Sequence, residues 1–367
     1  MRLTLFFTRG VSLRIWREAG ILDRELALYR RLMDRGVLVD FITWGDAGDL
    51  EYGEVLGGIR IFCNRWRLRR GLYERLIPWL HFRALRSADV VKSNQMDGAD
   101  AALEAARFWG KPLVARCGYM ASDFAAREQG VDAPETRRLL NLESTVFEAA
   151  DRVVVSTQAM ADEVAARIPK AGGKLAVHPN FVDTELFKPD AGAKPDVDVL
   201  FIGRFHAQKN VENLLEALAR TRVSARLIGE GPLKETLRGK YGDLDGRLAW
   251  DNRVDHASLP ALINGARLFV FPSNYEGHPK VLLEAMACGG AVIGGDSPGV
   301  REEIDHGVNG WLCGLAPDAI AEAIQNLLGK DEERKKLGEA ARDYVAARYS
   351  LDTIAQKELA LFQEMTG

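Results

Sequence analysis

Residues 197–219 read "VDVLFIGRFHAQKNVENLLEALA". The stretch begins with a short run of apolar and β-branched residues over 197–202, which is typical of a buried strand. A glycine at 203 ends this run, and from residue 211 apolar residues recur at helical spacing. A strand that passes through a glycine turn into a helix is the first part of a βαβ unit, and βαβ units build parallel sheets.

The same alternation of strands and helices occurs twice along the chain. The first series has predicted strands at Leu3–Thr8, Val37–Thr43, Val90–Ser93, Leu113–Ala115 and Arg152–Ser156. The second has them at Val197–Ile202, Ala225–Ile228, Arg247–Trp250, Leu268–Phe271 and Ala291–Gly294. We therefore expect an α/β fold of two Rossmann-like, doubly wound domains that face each other across a cleft, with ligands at the carboxyl ends of the strands.

A segment without helical periodicity separates the two series. It contains Pro179 and Pro189, and a glycine-bearing stretch follows it. We expect an N-terminal domain over 1–180, a connector over 181–195 and a C-terminal domain over 196–350.

Composition narrows the class of protein. The chain has 367 residues, of which 47% are hydrophobic, so it can bury substantial cores. No apolar run approaches the ~20 residues of a membrane-spanning helix, and no signal peptide is visible. The four cysteines lack metal-binding or CxxC spacing. We expect a cytoplasmic protein with buried thiols, no metal site and no redox chemistry.

Positive charge is concentrated in one segment of the first half. Residues 65–86 carry seven arginines against the single acid Glu74, with four aromatic residues among them. One interpretation is a solvated helix face whose arginine stems cover apolar surface. The alternative is peripheral contact with an anionic membrane at its inner face, or with a phosphate-bearing acceptor. Nucleic acid is not expected as a partner, since one such cluster on an otherwise acidic chain is a weak footprint.

The loop after 197–202 has the chemistry of an anion site. Gly203 lets the backbone approach a ligand, and the following helix start offers amide groups and a positive dipole. Arg204 and Lys209 add a planar guanidinium and a flexible ammonium, which together suit a diphosphate whose charge grows as it leaves. The alternative is a pair of exposed loop cations held in ion pairs.

A second loop, after 268–271, carries two glutamates eight positions apart. Glu276 lies in the loop and Glu284 about one turn into the next helix. Glu284 is expected to accept hydrogen bonds from a vicinal diol such as ribose, and Glu276 to lie near a sugar at the far end of the ligand. The helix start is expected to bind an anion through its backbone N–H groups. The N–H groups concerned are those of Lys280, Val281 and Leu282.

Two other glycine-rich stretches do not form a dinucleotide fingerprint. The first, 229–232, is followed by Lys234 where GxGxxG requires glycine or alanine, and the second, 294–299, is interrupted by Pro298. A nicotinamide-dependent dehydrogenase is therefore disfavoured.

With these motifs in this order, the chain resembles the retaining GT-B glycosyltransferases often called family 4. The resemblance rests on Gly203-Arg204 with Lys209, on Glu276-Gly277-His278-Pro279 with Glu284, and on glycine motifs at 229–232, 289 and 307–310. It implies that Arg204 and Lys209 hold the donor diphosphate and that Glu284 binds the ribose. It further implies that Glu276 and the following loop bind the donor sugar and the distal phosphate, the loop residues being Gly277, His278, Pro279, Lys280, Val281 and Leu282. It also implies that Arg253 and Val254 lie against the base, and that helix 351–367 completes the N-terminal domain.

The first half departs from the family pattern. Its first strand-to-helix loop, 8–12, has the single glycine Gly10, which is the candidate for close approach to the donor phosphates. Relatives often have a histidine after a mid-domain strand, where this chain has Arg116-Cys117-Gly118-Tyr119. Arg116, Tyr119 and Asp123 are the acceptor-side candidates, with a purely structural loop as the alternative.

The expected function is transfer of a sugar, with retention, from a nucleotide diphosphate sugar to a hydroxyl acceptor. No cofactor or metal is expected, because the two cations make a divalent ion dispensable. Two alternatives stay open. One is a nucleotide-sugar 2-epimerase of the same architecture, which needs no acceptor site, and the other is a non-catalytic nucleotide-sugar-binding protein.

Overall fold

A computed structural model describes the whole chain, Met1–Gly367. The chain forms two compact units, of which the first comprises Met1–Asn180 with Ile354–Gly367 and the second Phe181–Thr353. Each unit is built on one parallel sheet with helices in the connections between strands. The prediction of an α/β protein with two Rossmann-like parts is therefore confirmed.

The first unit has a seven-stranded sheet of order β3-β2-β1-β4-β5-β6-β7. Its strands are β1 (Arg2–Phe6), β2 (Leu38–Ile42), β3 (Arg60–Phe62), β4 (Val90–Ser93), β5 (Leu113–Cys117), β6 (Arg152–Val155) and β7 (Leu175–Val177). Its helices are α1 (Leu13–Glu18), α2 (Leu22–Asp34), α3 (Arg70–Leu80), α4 (Phe82–Ser87), α5 (Ala99–Trp109), α6 (Ala121–Gln129), α7 (Pro134–Ala149) and α8 (Gln158–Arg167).

The second unit has a six-stranded sheet of order β10-β9-β8-β11-β12-β13. Its strands are β8 (Val197–Ile202), β9 (Ala225–Ile228), β10 (Leu248–Asp251), β11 (Ala266–Phe271), β12 (Val292–Gly295) and β13 (Trp311–Cys313). Its helices are α9 (Val211–Ala219), α10 (Lys234–Tyr241), α11 (Leu259–Asn264), α12 (Lys280–Ala287), α13 (Pro317–Leu328) and α14 (Asp331–Tyr349), after which α15 (Leu351–Thr366) enters the first unit at Ile354.

Both sheets change winding direction at an inner pair of strands. In the first unit the reversal falls between β1 and β4, and in the second between β8 and β11. Because all strands of a sheet run parallel, their carboxyl ends share one edge. The loops at the reversal diverge there and leave a crevice, which is where doubly wound sheets bind ligands.

The last helix is tied to the first unit by a buried cluster of charges. Glu358 of α15 accepts a 2.5 Å hydrogen bond from Nζ of Lys92 in β4, and its other oxygen lies 3.2 Å from Nδ1 of His178. Lys92 and Glu358 are completely or almost completely buried. Burial alone would raise the pKa of Glu358, but the charges and hydrogen bonds of Lys92 and His178 hold that pKa below its usual value.

Each strand that the sequence predicts is present, with its ends unchanged or shifted by one or two residues. Three strands were not predicted: β3, β7 and β13. Each has three residues and lies at the edge of its sheet. A segment this short on a half-exposed edge shows no periodicity, and only its pairing with a neighbouring strand defines it. None of the helices is both long and apolar enough to cross a lipid bilayer.

Candidate functional site

In the second unit, the loops after β8 and β11 meet at the reversal of the sheet. Lys209 Nζ lies 2.5 Å from Glu276 Oε1, and both side chains are largely buried. The Gln208 side chain donates to the Tyr275 carbonyl at 2.9 Å, and the Asn274 amide donates to the Gln208 carbonyl at 2.8 Å. The ammonium and the carboxylate are thus fixed against each other by three hydrogen bonds between the two loops.

A third loop, at 297–299, contacts the loop that carries Glu276. The Glu276 N–H donates to the Pro298 carbonyl at 2.9 Å, and Ser297 Oγ donates to the Ser273 carbonyl at 2.6 Å. Gly299 has φ +79°, and a Cβ there would lie 2.3 Å from the Glu276 carbonyl oxygen. Only glycine fits that position without moving the glutamate.

Glu284 is buried on α12 and is held by a histidine from another segment. Its Oε1 lies 2.8 Å from Nε2 of His256, and the Glu284 residue is only 3% exposed. The His256 ring lies 5.0 Å from the ring of the fully buried Phe187. The histidine therefore fixes one carboxylate oxygen of Glu284, Oε1.

The start of α12 presents backbone rather than side chains. The first intrahelical hydrogen bond runs from the Leu283 amide to the Pro279 carbonyl at 3.2 Å, so the Val281 and Leu282 amides precede it. Leu282 and Pro279 are buried, whereas Lys280 and Val281 are half-buried. The Leu282 side chain is packed in the core, so Leu282 can contribute to an anion site only through its backbone.

The imidazole of His278 points into the protein. Its ring is 5.0 Å from the Tyr349 ring, and its Nε2 is 3.3 Å from Oε1 of Glu303. The side chain is almost completely buried. A ligand contact at this position can therefore come only from the backbone, as for Leu282.

The remaining candidates of the second unit are accessible. Gly203 and Arg204 directly follow β8, and the Arg204 side chain is exposed. Arg253 and Val254 follow β10, where Arg253 is exposed and Val254 packs partly on the core.

Lys234, which interrupts the dinucleotide pattern, is buried and donates to the carbonyls of Gly229 (2.8 Å) and Asp251 (2.6 Å). It joins the ends of β9 and β10 and so has a structural role.

In the first unit, Gly10 lies in the loop after β1, also at a reversal of the sheet. Gly10 has φ +77°, and a Cβ there would lie 3.2 Å from Nη2 of Arg70. The neighbouring Arg9 binds three carboxylates, Glu74 (2.9 Å), Asp97 (2.8 Å) and Asp100 (2.7 Å). Burial alone would lower the pKa of Arg9, but Asp100 and Glu74 raise it above its usual value. The loop is therefore anchored on both sides of the reversal.

The three acceptor-side candidates differ in what they offer to a ligand. Arg116 is half-buried, and its Nη2 donates to Asn180 Oδ1 at 2.8 Å. Asp123 is 3.3 Å from Arg167 Nη1. Tyr119 is 44% exposed and its ring lies 5.0 Å from that of Phe124. All three thus have partners within the unit, and Tyr119 is the most exposed of them.

Sequence reasoning missed His256 and the turn at 297–299. Both act on predicted residues across long separations in the chain, 28 residues for His256 and Glu284. A local pattern carries no signal of such contacts.

Comparison with known proteins identifies the family. A family model described as "Glycosyl transferases group 1" matches residues 183–344, and one described as "Glycosyltransferase Family 4" matches residues 26–186. The chain therefore belongs to the GT-B glycosyltransferases of family 4, and it is a glycosyltransferase.

Individual relatives agree with this placement. D-inositol 3-phosphate glycosyltransferase from Nocardiopsis dassonvillei is 28% identical over 359 residues, covering 86% of this chain and 83% of its own. GDP-mannose-dependent alpha-(1-6)-phosphatidylinositol monomannoside mannosyltransferase from Mycobacterium tuberculosis is 31% identical over 204 residues, covering 49% and 53%.

Solved structures share the fold over the whole chain. Sucrose-phosphate synthase from Thermosynechococcus elongatus has a TM-score of 0.80 at 21% identity and covers 100% of this chain and 99% of its own. Anabaena Alr3699/HepE in complex with UDP-glucose has a TM-score of 0.74 at 20% identity, with 99% of each chain covered.

Proposed function

We propose that this glycosyltransferase moves a hexose from a nucleotide diphosphate sugar to a hydroxyl acceptor, with retention at the anomeric carbon and without a metal ion. The main support is the fixed Lys209–Glu276 pair at the reversal of the second sheet, next to the first turn of α12. A cation, a carboxylate and a helix N-terminus at one sheet edge suit a ligand with a phosphate and a sugar.

The donor-site residues have different roles in this proposal. Arg204 and Lys209 neutralise the diphosphate as it departs, which stabilises the transition state. The Oε2 atom of Glu284 accepts a hydrogen bond from a ribose hydroxyl, and the Glu276 carboxylate binds the donor sugar. The amides of Val281 and Leu282 contact the distal phosphate. Arg253 and Val254 lie against the base.

The acceptor would bind in the first unit, near Gly10 and Tyr119. Curated relatives support a hydroxyl acceptor, because their names specify inositol phosphate and phosphatidylinositol mannoside as substrates. A nucleotide donor is supported by the name of the mycobacterial relative, which specifies GDP-mannose, and by the UDP-glucose bound in the structurally similar Anabaena protein. Retention is the expectation carried by the family resemblance.

A panel of nucleotide diphosphate sugars tests the donor site without knowledge of the acceptor. Wild type and Glu284→Ala are compared by thermal shift and by slow donor hydrolysis. A ligand at about 100 times its Kd stabilises the folded state by about 2.7 kcal/mol. We expect one donor to raise the Tm of wild type only. Equal shifts in both proteins, or none, would contradict the assignment.

Stereochemistry and metal dependence are tested separately once the donor is known. Proton NMR of the first product formed should show the anomeric configuration of the donor, and an inverted product would exclude retention. Transfer should persist in excess EDTA. A rate that vanishes with EDTA and returns with Mg²⁺ would refute the metal-independent mechanism.

A nucleotide-sugar 2-epimerase is one of the two alternatives to a glycosyltransferase that the sequence left open. The matched family and the relatives above are glycosyltransferases, and no contact in either unit favours the epimerase. Incubation of the donor alone distinguishes the two, because an epimerase would accumulate an epimeric product without any acceptor.

A further inference from the structure

The first unit exposes a surface that combines arginines with large apolar side chains. We call it the arginine–aromatic face and define it as residues 65–86 together with Arg107 and Phe108 at the end of α5. Every arginine in 65–86 is exposed, and so is Arg107. The exposed apolar side chains are Trp66, Leu72, Trp79, Phe82 and Phe108. The sequence analysis anticipated the first segment but not the contribution of α5.

The apolar side chains lie together rather than singly. Leu72 and Trp79 are seven positions apart on α3 and so share one side of that helix. The Trp79 ring lies 4.8 Å from the Phe108 ring, which joins α3 to α5. Trp79 is 55% exposed and Phe108 50%, in spite of this contact. A contiguous exposed apolar patch of this kind marks a site of interaction.

Buried hydrogen bonds hold the face in this form. Trp109 Nε1 donates to the Pro78 carbonyl at 2.8 Å, which ties α5 to the end of α3. The Tyr73 hydroxyl lies 2.7 Å from His81 Nε2, which pins the turn between α3 and α4. The helices therefore cannot rotate to bury Trp79 without breaking these bonds.

The exposed arginines of the face indicate an anionic partner. The only acid in 65–86, Glu74, is engaged by Arg9 at 2.9 Å, so it does not neutralise the exposed arginines. The Arg65 and Arg83 guanidinium groups lie 4.6 Å and 5.9 Å from the rings of Trp66 and Phe82. Aromatic rings beside arginine heads match the headgroup region of an anionic bilayer, where rings sit at the boundary and arginines bind phosphates. One arginine cluster on a chain with a net charge of −3 is a weak footprint for a nucleic acid.

The face directly adjoins the loop with Gly10. A Cβ at Gly10 would lie 3.2 Å from Nη2 of Arg70 at the start of α3, and Arg9 of the same loop bonds to Glu74 of α3. A molecule bound to the face therefore lies beside the part of the first unit where we place the acceptor. We propose that the arginine–aromatic face docks on an anionic membrane and that the acceptor is lipid-linked; the second half of this statement rests on the proposed function.

Sedimentation with vesicles tests the docking. Wild type should bind vesicles of phosphatidylcholine with phosphatidylglycerol, should not bind pure phosphatidylcholine, and should dissociate as salt is raised. Arg83→Glu with Arg86→Glu should weaken binding by about tenfold or more. The charge-matched control is Lys335→Glu with Lys336→Glu, two exposed lysines of α14 in the second unit. Binding that both pairs weaken equally would reflect net charge alone and would overturn the proposal.

The apolar contribution has its own variant and control. Trp79→Ala with Phe108→Ala should reduce vesicle binding several-fold, while Leu38→Ala, which removes an exposed apolar side chain of β2, should not. These positions are exposed, so the variants are expected to keep the wild-type Tm. Wild-type binding by the double variant would overturn insertion of the aromatic side chains.

The proposal of a lipid-linked acceptor is tested with radiolabelled donor and vesicles that contain a total polar lipid extract. Label should enter the organic phase with wild type and fall several-fold with Trp79→Ala, Phe108→Ala, in proportion to the loss of vesicle binding. Label that enters only water-soluble products would refute the lipid-linked acceptor. Vesicle binding needs no donor, and the donor thermal shift needs no vesicle, so failure of one proposal is distinguishable from failure of the other.

Discussion

The carboxylate of Glu284 depends on a histidine from a different loop. His256 contributes the 2.8 Å contact that fixes Oε1 and lies against Phe187, so its ring is held on two sides. A buried carboxylate without such a donor either rotates or takes up a proton. In the second unit we therefore regard His256 as a positioning residue for donor binding.

Replacement of this histidine should weaken donor binding. A hydrogen bond to a charged group contributes about 1.5–3 kcal/mol, so His256→Ala should raise the donor Kd by about tenfold or more. His256→Gln, whose amide can donate to the same oxygen, should recover part of the affinity. Isothermal titration with the identified donor measures both. Wild-type affinity in His256→Ala would show that the contact does not position Glu284.

At the scale of single residues, the sequence predicts which residues belong to the candidate site better than it predicts which atoms those residues contact. Glu276 and Lys209 were proposed for different parts of the ligand, yet they form an ion pair. His278 was proposed as a ligand contact, yet its imidazole is buried near Glu303. Which atoms a side chain faces depends on contacts between distant segments, and these are invisible to a local motif.

Among the elements, the turn at 297–299 controls the position of Glu276. Gly299→Ala combines strain at φ +79° with a Cβ only 2.3 Å from the Glu276 carbonyl oxygen. Gly307→Ala is the matched control, because Gly307 has φ +77° but no atom within 4 Å of the added Cβ. Both variants should lose about 1 kcal/mol of stability from the backbone, and Gly299→Ala should lose more.

Transfer assays should separate the two glycine variants more strongly than stability does. Displacement of Glu276 should lower kcat by tenfold or more in Gly299→Ala, since misplacement by about 1 Å is costly. Gly307→Ala should keep the wild-type kcat. Equal kcat values for the two variants would show that the turn at 297–299 does not position Glu276.

The α3–α4 turn should make the first unit sensitive to mild acid. Burial, followed by the charge of Arg65, lowers the pKa of His81 to about 4. The unfolded chain takes up this proton near pH 6.5, so between about pH 6.5 and 4 it binds more protons than the folded state does. The free energy of unfolding should therefore decrease by about 3 kcal/mol as pH falls through this window.

Denaturant unfolding at several pH values measures this dependence. His81→Gln keeps a hydrogen-bonding side chain but cannot titrate, so its stability should change much less between pH 6.5 and 4.5. A slope equal to that of wild type would assign the acid sensitivity to other groups.

Elements were predictable where they are long or buried. The inner strands β4, β8 and β9 have the predicted bounds, because short runs rich in Val, Leu and Ile mark them in the sequence. The 19-residue helix α14 was missed. Its buried positions include Gly338 and Ala341, so its apolar stripe is weak in the sequence, and packing rather than periodicity defines it.

Over the whole molecule, the Lys92–Glu358 pair should contribute strongly to the first unit. Glu358→Ala leaves a fully buried ammonium without its carboxylate and should cost about 3–5 kcal/mol. Lys92→Met combined with Glu358→Leu should restore most of that stability, since apolar side chains of similar size replace buried ion pairs well. Chemical denaturation of the three proteins measures both steps. A double variant as unstable as Glu358→Ala would point to His178 as the essential partner.

The pair also has a defined pH dependence. Because the folded-state pKa of Glu358 lies below its unfolded value, its contribution is present at neutral pH and is lost as pH falls below about 4. This window lies below that of His81, so the two effects are separable in one titration.

The chain's path between the units governs the order in which they can be completed during synthesis. The first unit is interrupted after Asn180, and its last segment, Ile354–Gly367, follows the entire second unit. A chain synthesised as far as Thr353 therefore contains every residue of the second unit while Lys92 still lacks Glu358. Nascent chains should protect the second unit from proteolysis first, so the part of the gene that is translated earliest encodes the domain that matures last.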